Sequence, residues 1–130
     1  EIASCLVGSE MCIRDRLSDT GMPVIIAAFV IAAALRVAQG SATVALTTTA
    51  ALVAPLVAAT PGLSEFDLCF IVVAIAGGAT VLSHVNDSGF WLVSRFLEMD
   101  EKTTLKTWTV METLLGGIAF ILAVIGSLIL

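Results

Sequence analysis

The sequence predicts an all-α membrane protein, and three observations carry that prediction. Of 130 residues, 58% are hydrophobic and 13% charged, with a mean hydropathy of +1.06. Soluble domains carry roughly 45–50% apolar and about 25% charged residues. The charges are also segregated: residues 21–64 contain one, Arg36, and residues 113–130 contain none. Finally, the apolar stretches approach or exceed the run of about 18 that reads as a membrane span. A chain of this size has no polar face left with which to cover such helices in water.

The first residues stand apart. Residues 5–16 read CLVGSEMCIRDR and follow no membrane pattern. The run resembles the in-frame translation of a transposase-type sequencing-library adapter; a natural polar loop is the other reading. Processing scars are excluded from fold reasoning. Residues 1–16 are therefore set aside as non-native, and residues 17–130 are taken as the membrane-embedded unit. Cys5 and Cys12 fall in the excluded part, leaving Cys69 in an apolar run. A single cysteine makes neither a disulfide nor a metal site and reads as a small core or lipid-facing residue. Within 17–130, eight acidic and four basic side chains leave a net −4, against −5 for the whole chain. With no basic patch, nucleic acid is not an expected partner.

Three membrane passages follow in order. The first, residues 21–57, is too long for one ordinary span and is interrupted by Gln39-Gly40-Ser41 just after Arg36. Two helices of about 15 residues would each reach ~22 Å, short of the ~30 Å hydrocarbon core. A re-entrant helical hairpin with its tip at 39–43 fits those lengths, as do two full spans joined by a tight turn. Pro55 and Pro61-Gly62 are expected to end the passage, with 60–67 as a polar connector. The second passage, 68–96, is apolar except for Ser83-His84-Val85-Asn86-Asp87-Ser88-Gly89. Such a cluster is tolerated at membrane depth only where protein or a water-filled cavity surrounds it. The expectation is a discontinuous helix broken at 84–89, the form in which transporters expose backbone groups to substrates and ions. The third passage, 108–128, is a plain span after the charged loop 98–106. Trp108 is placed in the interfacial belt, and the positive-inside bias puts that loop in the cytoplasm and Leu130 outside.

The motifs become specific at three strings. LRVAQGSATVA (35–45), GATVLSHVNDSGFWL (78–92) and MDEKTTLKTWTVME (99–112) closely resemble the corresponding stretches of the gluconate permease family, the gluconate:proton symporters. The resemblance covers 17–130. It implies an inner-membrane, multi-pass transporter that brings in gluconate or a related sugar acid with protons and leaves its substrate chemically unchanged. It implies further that this chain is the C-terminal part of a longer, inverted-repeat transporter. The hairpin and broken helix here would be those of the second repeat, and a missing N-terminal part would hold the other half of the site. The fragment alone is then expected to transport nothing. No cofactor is implied, and a homo-oligomer stays open. No nucleophile–base pair, phosphate loop or metal-ligand spacing points to covalent chemistry.

The candidate residues follow, each with its plainer reading. Gln39, Gly40, Ser41 and Thr43 at the tip, with Asn86 and Ser88 at the break, are the candidate substrate-binding groups. The tip residues could equally cap helix ends, and the partners at the break could simply satisfy its backbone. Thr47 is a weaker candidate against a helix-packing role. Arg36 either anchors at an interface or neutralises the substrate carboxylate. Asp87 is the first choice for proton coupling, because a carboxyl at a buried helix break has its charged form disfavoured. His84 is the rival, since imidazole is the side chain whose charge changes near neutral pH. A satisfied structural network is the plain reading of both. Glu112 is placed near the cytoplasmic interface without a role. Another small carboxylate, carried with protons or sodium, and a non-transporting membrane subunit are the alternative functions. The expected mechanism is alternating access, with substrate and proton bound between tip and break near mid-membrane.

Overall fold

A computed structural model describes residues 23–129. The set-aside segment 1–16, with Cys5 and Cys12, and the start of the first passage at residue 21 lie outside the described residues. Five helices form the described part: α1 (Val24–Gln39), α2 (Ala42–Ala59), α3 (Glu65–Thr80), α4 (Ser88–Phe96) and α5 (Glu101–Ile129).

The first passage is a helical hairpin, as its interruption predicts. α1 is rich in alanine and aliphatic residues and ends where Gly40 turns left-handed at φ 73°. The Gly40 N–H donates to the Arg36 carbonyl at 2.8 Å, closing the last turn in the manner of an αL cap. α2 starts at once, its first turn capped by Ser41, whose hydroxyl accepts from the Val44 N–H at 3.4 Å. At 1.5 Å per residue the arms are ~24 and ~27 Å long. Pro55 does not end the passage as expected. It lies inside α2, which runs on to Ala59, and Thr60 closes that end by donating to the Leu56 carbonyl at 2.8 Å. Proline removes one helical hydrogen bond, a loss that packed membrane helices tolerate.

After a turn at Gly62 (φ 86°), α3 opens with a capping box. The Ser64 hydroxyl accepts from the Asp67 N–H, and the Asp67 carboxylate accepts from the Ser64 N–H at 2.9 Å and hydroxyl at 2.8 Å. The backbone N–H first, and then the hydroxyl of Ser64, hold the Asp67 carboxyl below its ordinary range. This box starts the helix at Glu65, so the last three residues of the expected connector are helical.

α3 is the central helix. It packs against both α1 and α5 and contributes Ile71, Ala74 and Ile75 to a core completed by Ile25, Ala28 and Ala32 of α1, Val53 of α2 and Ala123 of α5. Small residues set the spacing. A Cβ built on Gly77 would lie 2.8 Å from the Gly116 carbonyl oxygen, and one on Gly116 would lie 2.5 Å from that of Gly77. Backbones this close exchange dispersion contacts directly, as in small-residue interfaces between membrane helices.

α5 begins earlier than predicted. The charged residues 101–106 belong to its first turns, leaving only 97–100 as the turn after α4. The Asp100 carbonyl accepts from the Thr104 N–H at 3.0 Å and hydroxyl at 2.9 Å, and Glu101 places an acid in the first turn, favourable at a helix N-terminus. The helix is therefore ~43 Å long. Leu114, Leu115, Ile118, Ile121, Leu122 and Ile125 stand exposed along it, an apolar stripe suited to lipid and too large for a water-facing surface. α2 and α5 are long and apolar enough to cross a membrane, and α1 is apolar but shorter.

Candidate functional site

The second passage is broken, though earlier than the sequence placed it. The last α3 bond runs from the Val81 N–H to the Gly77 carbonyl, and residues 81–87 are non-helical. Leu82 then adopts a left-handed φ of 54°, a conformation that costs a non-glycine residue of order 1 kcal/mol or more. Its N–H, freed from the helix, donates to the Thr113 hydroxyl of α5 at 3.2 Å. Asp87 restarts the helix as N-cap, its Oδ1 accepting from the Gly89 N–H at 3.0 Å. Ser88 and Gly89, expected inside the break, thus form the first turn of α4.

The hairpin tip docks on this break. Arg36, 3% exposed on α1, donates from Nη2 to Asp87 Oδ2 at 2.5 Å and from Nη1 to the Gly40 carbonyl at 2.8 Å. One guanidinium therefore holds the tip and the break together. Asn86 donates from Nδ2 to the Ala38 carbonyl at 3.3 Å. Gly40 packs so closely that a Cβ there would collide with the Asn86 carbonyl oxygen and lie 2.6 Å from its carbon. Asp87 Oδ2 also accepts from the Ser83 hydroxyl at 2.5 Å. Ser83 is braced from α5: Trp108 Nε1 donates to its hydroxyl at 3.0 Å, and the Thr109 hydroxyl donates to its carbonyl. Removing two charges from water costs several kcal/mol per ion unless the remaining lone pairs and protons are matched. The hydrogen bonds from Ser83 and Gly89 do that for the carboxylate.

Arg36 is not fully matched. Its Nε is buried and finds no acceptor among the described residues, and the same holds for the hydroxyl of Thr49 on α2. Buried donors without partners are uncommon in folded proteins.

The predicted residues divide accordingly. Arg36, Gly40, Asn86 and Asp87 come together at one junction. Ser41 is half-buried and caps α2, the plainer of its two readings. His84 is half-buried, with Nδ1 2.8 Å from the Leu82 carbonyl. Gln39, Thr43 and Ser88 are exposed beside the junction. Thr47 is exposed and donates back to the Thr43 carbonyl at 2.9 Å. Arg36 is no interfacial anchor, since it is buried against Asp87. Trp108, expected in the interfacial belt, donates its indole N–H to Ser83 at the break. Glu112, half-buried on α5, lies within electrostatic reach of both Arg36 and Asp87. Sequence reasoning missed Ser83, Trp108 and Thr109 as parts of the junction. Ser83 opens the polar run and stands four residues before Asp87, which was the available signal. Nothing local marks the others.

The family model described as GntP family permease matches residues 4–129. The low-affinity gluconate transporter of Escherichia coli (strain K12) is 46% identical over 111 residues, covering 85% of this chain and 25% of that protein. The gluconate permease of Pseudomonas aeruginosa is 42% identical over 106 residues, 82% of this chain and 23% of the relative. The Gnt-II system L-idonate transporter of Escherichia coli (strain K12) is 40% identical over 114 residues, 86% of this chain and 25% of that protein. No solved structure matches. The chain spans about a quarter of the length of the curated relatives it matches. Matched by the family model over residues 4–129, this chain belongs to the GntP family of permeases.

Proposed function

We propose that a permease containing this chain carries gluconate or a closely related sugar acid across the bacterial inner membrane by proton-coupled secondary transport. One observation carries the reading: in a chain from a permease family, a buried arginine on a helical hairpin meets a buried aspartate at a helix break. A hairpin tip that meets a broken helix is how membrane transporters build an ion and substrate site from backbone ends and a few polar side chains. Arg36 matches the carboxylate of a sugar acid, and Asp87 is a proton carrier within hydrogen-bond distance of it. Asn86, Ser41, Gln39, Thr43 and Ser88, around the same junction, supply the amide and hydroxyl groups that sugar hydroxyls require, with Gly40 allowing close approach. The hairpin enters and leaves the membrane on one side. Residues 17–130 form the native unit, and the remainder of a full-length permease supplies a second hairpin and break and so the other half of the site.

The site lies off the membrane centre. Trp108, Thr109 and Thr113 line the break, which puts it ~10–18 Å along α5 from its charged start at Glu101. With that start at the cytoplasmic surface, the break sits in the cytoplasmic half. Alternating access then moves the hairpin and break as a unit, and the L-idonate transporter among the relatives favours a sugar-acid substrate range. The test is uptake of labelled gluconate by vesicles holding a full-length permease that includes this chain, with and without an inward proton gradient. Gradient-driven uptake, competed by unlabelled sugar acids, supports the reading. Absent uptake by inserted, folded protein removes gluconate as substrate, and sodium-driven uptake removes the proton.

A further inference from the structure

We propose that Arg36 is shared between Asp87 and the substrate carboxylate, so that a proton on Asp87 is what releases the arginine to bind the sugar acid. The inference rests on the transport reading above and adds to it a cause for coupling and a binding order.

The geometry of the guanidinium carries the argument. A carboxylate binds arginine best in a two-point fork, and one such fork is the edge formed by Nε and Nη2. Here Asp87 takes Nη2 alone, through Oδ2, while Nε is buried without an acceptor. The edge is thus half used, by an acceptor that is also committed to Ser83 through Oδ2 and to the Gly89 N–H through Oδ1. When Asp87 takes a proton, its charge no longer holds Nη2, and Ser83 and Gly89 still secure the neutral carboxyl. The incoming carboxylate then engages Nε and Nη2 together. Meanwhile Nη1 stays on the Gly40 carbonyl, so the hairpin tip need not leave the break for the exchange to occur.

Charge balance makes the exchange a coupling device. With the site empty, Arg36 is positive and Asp87 negative, and the pair is neutral. With one proton and one monocarboxylate bound, Arg36 is positive, Asp87 neutral and the substrate negative, and the site is neutral again. Either ligand alone leaves one uncompensated charge at a buried position, which the surroundings penalise by several kcal/mol. Both neutral states move across a low-dielectric barrier more easily than either charged one. Transport of one proton per sugar acid follows, with no net charge carried. The count takes Glu112 of α5, which lies within electrostatic reach of both charges, to keep one charge in all four states. His84 in the break is bonded to the Leu82 carbonyl. α2 contains no ionisable residue, and those of α3 and α4, Arg95 among them, lie away from the ends that meet at the break.

The experiment measures gluconate affinity of the full-length permease between pH 5 and 9, for the wild type, Asp87→Asn and His84→Gln. Above the pH at which Asp87 ionises, one linked proton weakens wild-type affinity about tenfold per pH unit. Asparagine is as good an N-cap as aspartate, so the variant keeps the start of α4, and its affinity is flat with pH at the tight level. His84→Gln keeps the wild-type slope. As a check independent of any variant, gluconate added to wild type in weak buffer at high pH draws one proton per molecule bound. Wild-type binding that is flat with pH and takes up no proton overturns the inference and leaves the transport reading standing. A slope that persists in Asp87→Asn and vanishes in His84→Gln also overturns it. Gluconate binding absent at every pH, with folded protein, overturns both.

Discussion

Replacing Gly40 with alanine tests how the hairpin tip is held. Two costs add. Gly40 has φ 73°, and a side chain in the left-handed region costs roughly 1–2 kcal/mol. The new Cβ would also collide with the Asn86 carbonyl, 2.6 Å from its carbon and 3.0 Å from the Asn86 Cβ. That neighbour is backbone rather than the far end of a flexible chain, so the tip must back away, at the typical overpacking cost of about 1–3 kcal/mol. Together, about 3 kcal/mol lowers the ratio of docked to undocked tip by roughly a hundredfold. The Arg36–Gly40 bond and the Asn86–Ala38 bond then lengthen with it. In vesicles, Gly40→Ala is expected to insert normally and to lose at least tenfold in gluconate uptake rate. Gly117→Ala, where a Cβ meets nothing within 4 Å, is expected to retain it. Wild-type uptake by Gly40→Ala would refute the docking argument, because no arrangement of a tightly docked tip leaves room for that methyl group.

Other outcomes follow from the same contacts. Gly116→Val drives a side chain into the Gly77 carbonyl and Val81 and is expected to separate α3 from α5, read as loss of monodisperse protein on size exclusion. Trp108→Phe keeps an aromatic ring but removes the donor to Ser83 and part of the ring; a loss of at least about 1 kcal/mol should appear as a lower unfolding temperature with insertion unchanged. Asp67 has its folded-state value depressed by Ser64. Its contribution to holding the start of α3 is therefore present above the ordinary aspartate range and lost as pH falls through the lowered value. Hydrogen exchange at the first turn of α3 should accelerate across that acid window, and Asp67→Asn should remove the pH dependence there.

How much of this was legible in sequence depends on range. Interruptions of an apolar pattern are local signals, and both were readable: Gln39-Gly40-Ser41 as a hairpin tip, and the polar run from Ser83 as a break. Boundaries were less so, because they rest on side-chain caps. Asp87 reads as a buried acid, yet its carboxylate also starts α4, which draws Ser88 and Gly89 out of the break. Acids and lysines at 101–106 read as a loop, yet an acid in the first turn and the Thr104–Asp100 bonds make them helix. The decisive contact was not readable. Arg36 and Asp87 stand 51 residues apart, and only the packing of α1 and α5 on α3 brings them, with Trp108 and Thr109, to one place. Gly77, Gly78 and Gly116 permit that packing, but a glycine in an apolar run does not reveal which helix it faces.

The most direct test of the account is a double-mutant cycle between Arg36 and Asp87, using unfolding temperature and proton-driven gluconate uptake of the full-length permease. Arg36→Gln and Asp87→Asn each leave a buried charge without its partner and should each destabilise strongly. If the pair joins tip to break, the double variant is no less stable than the worse single one, a coupling of about 2–3 kcal/mol, while proton-driven uptake stays absent in all three. Effects that simply add, with coupling near zero, would mean the two residues do not meet and would contradict the site.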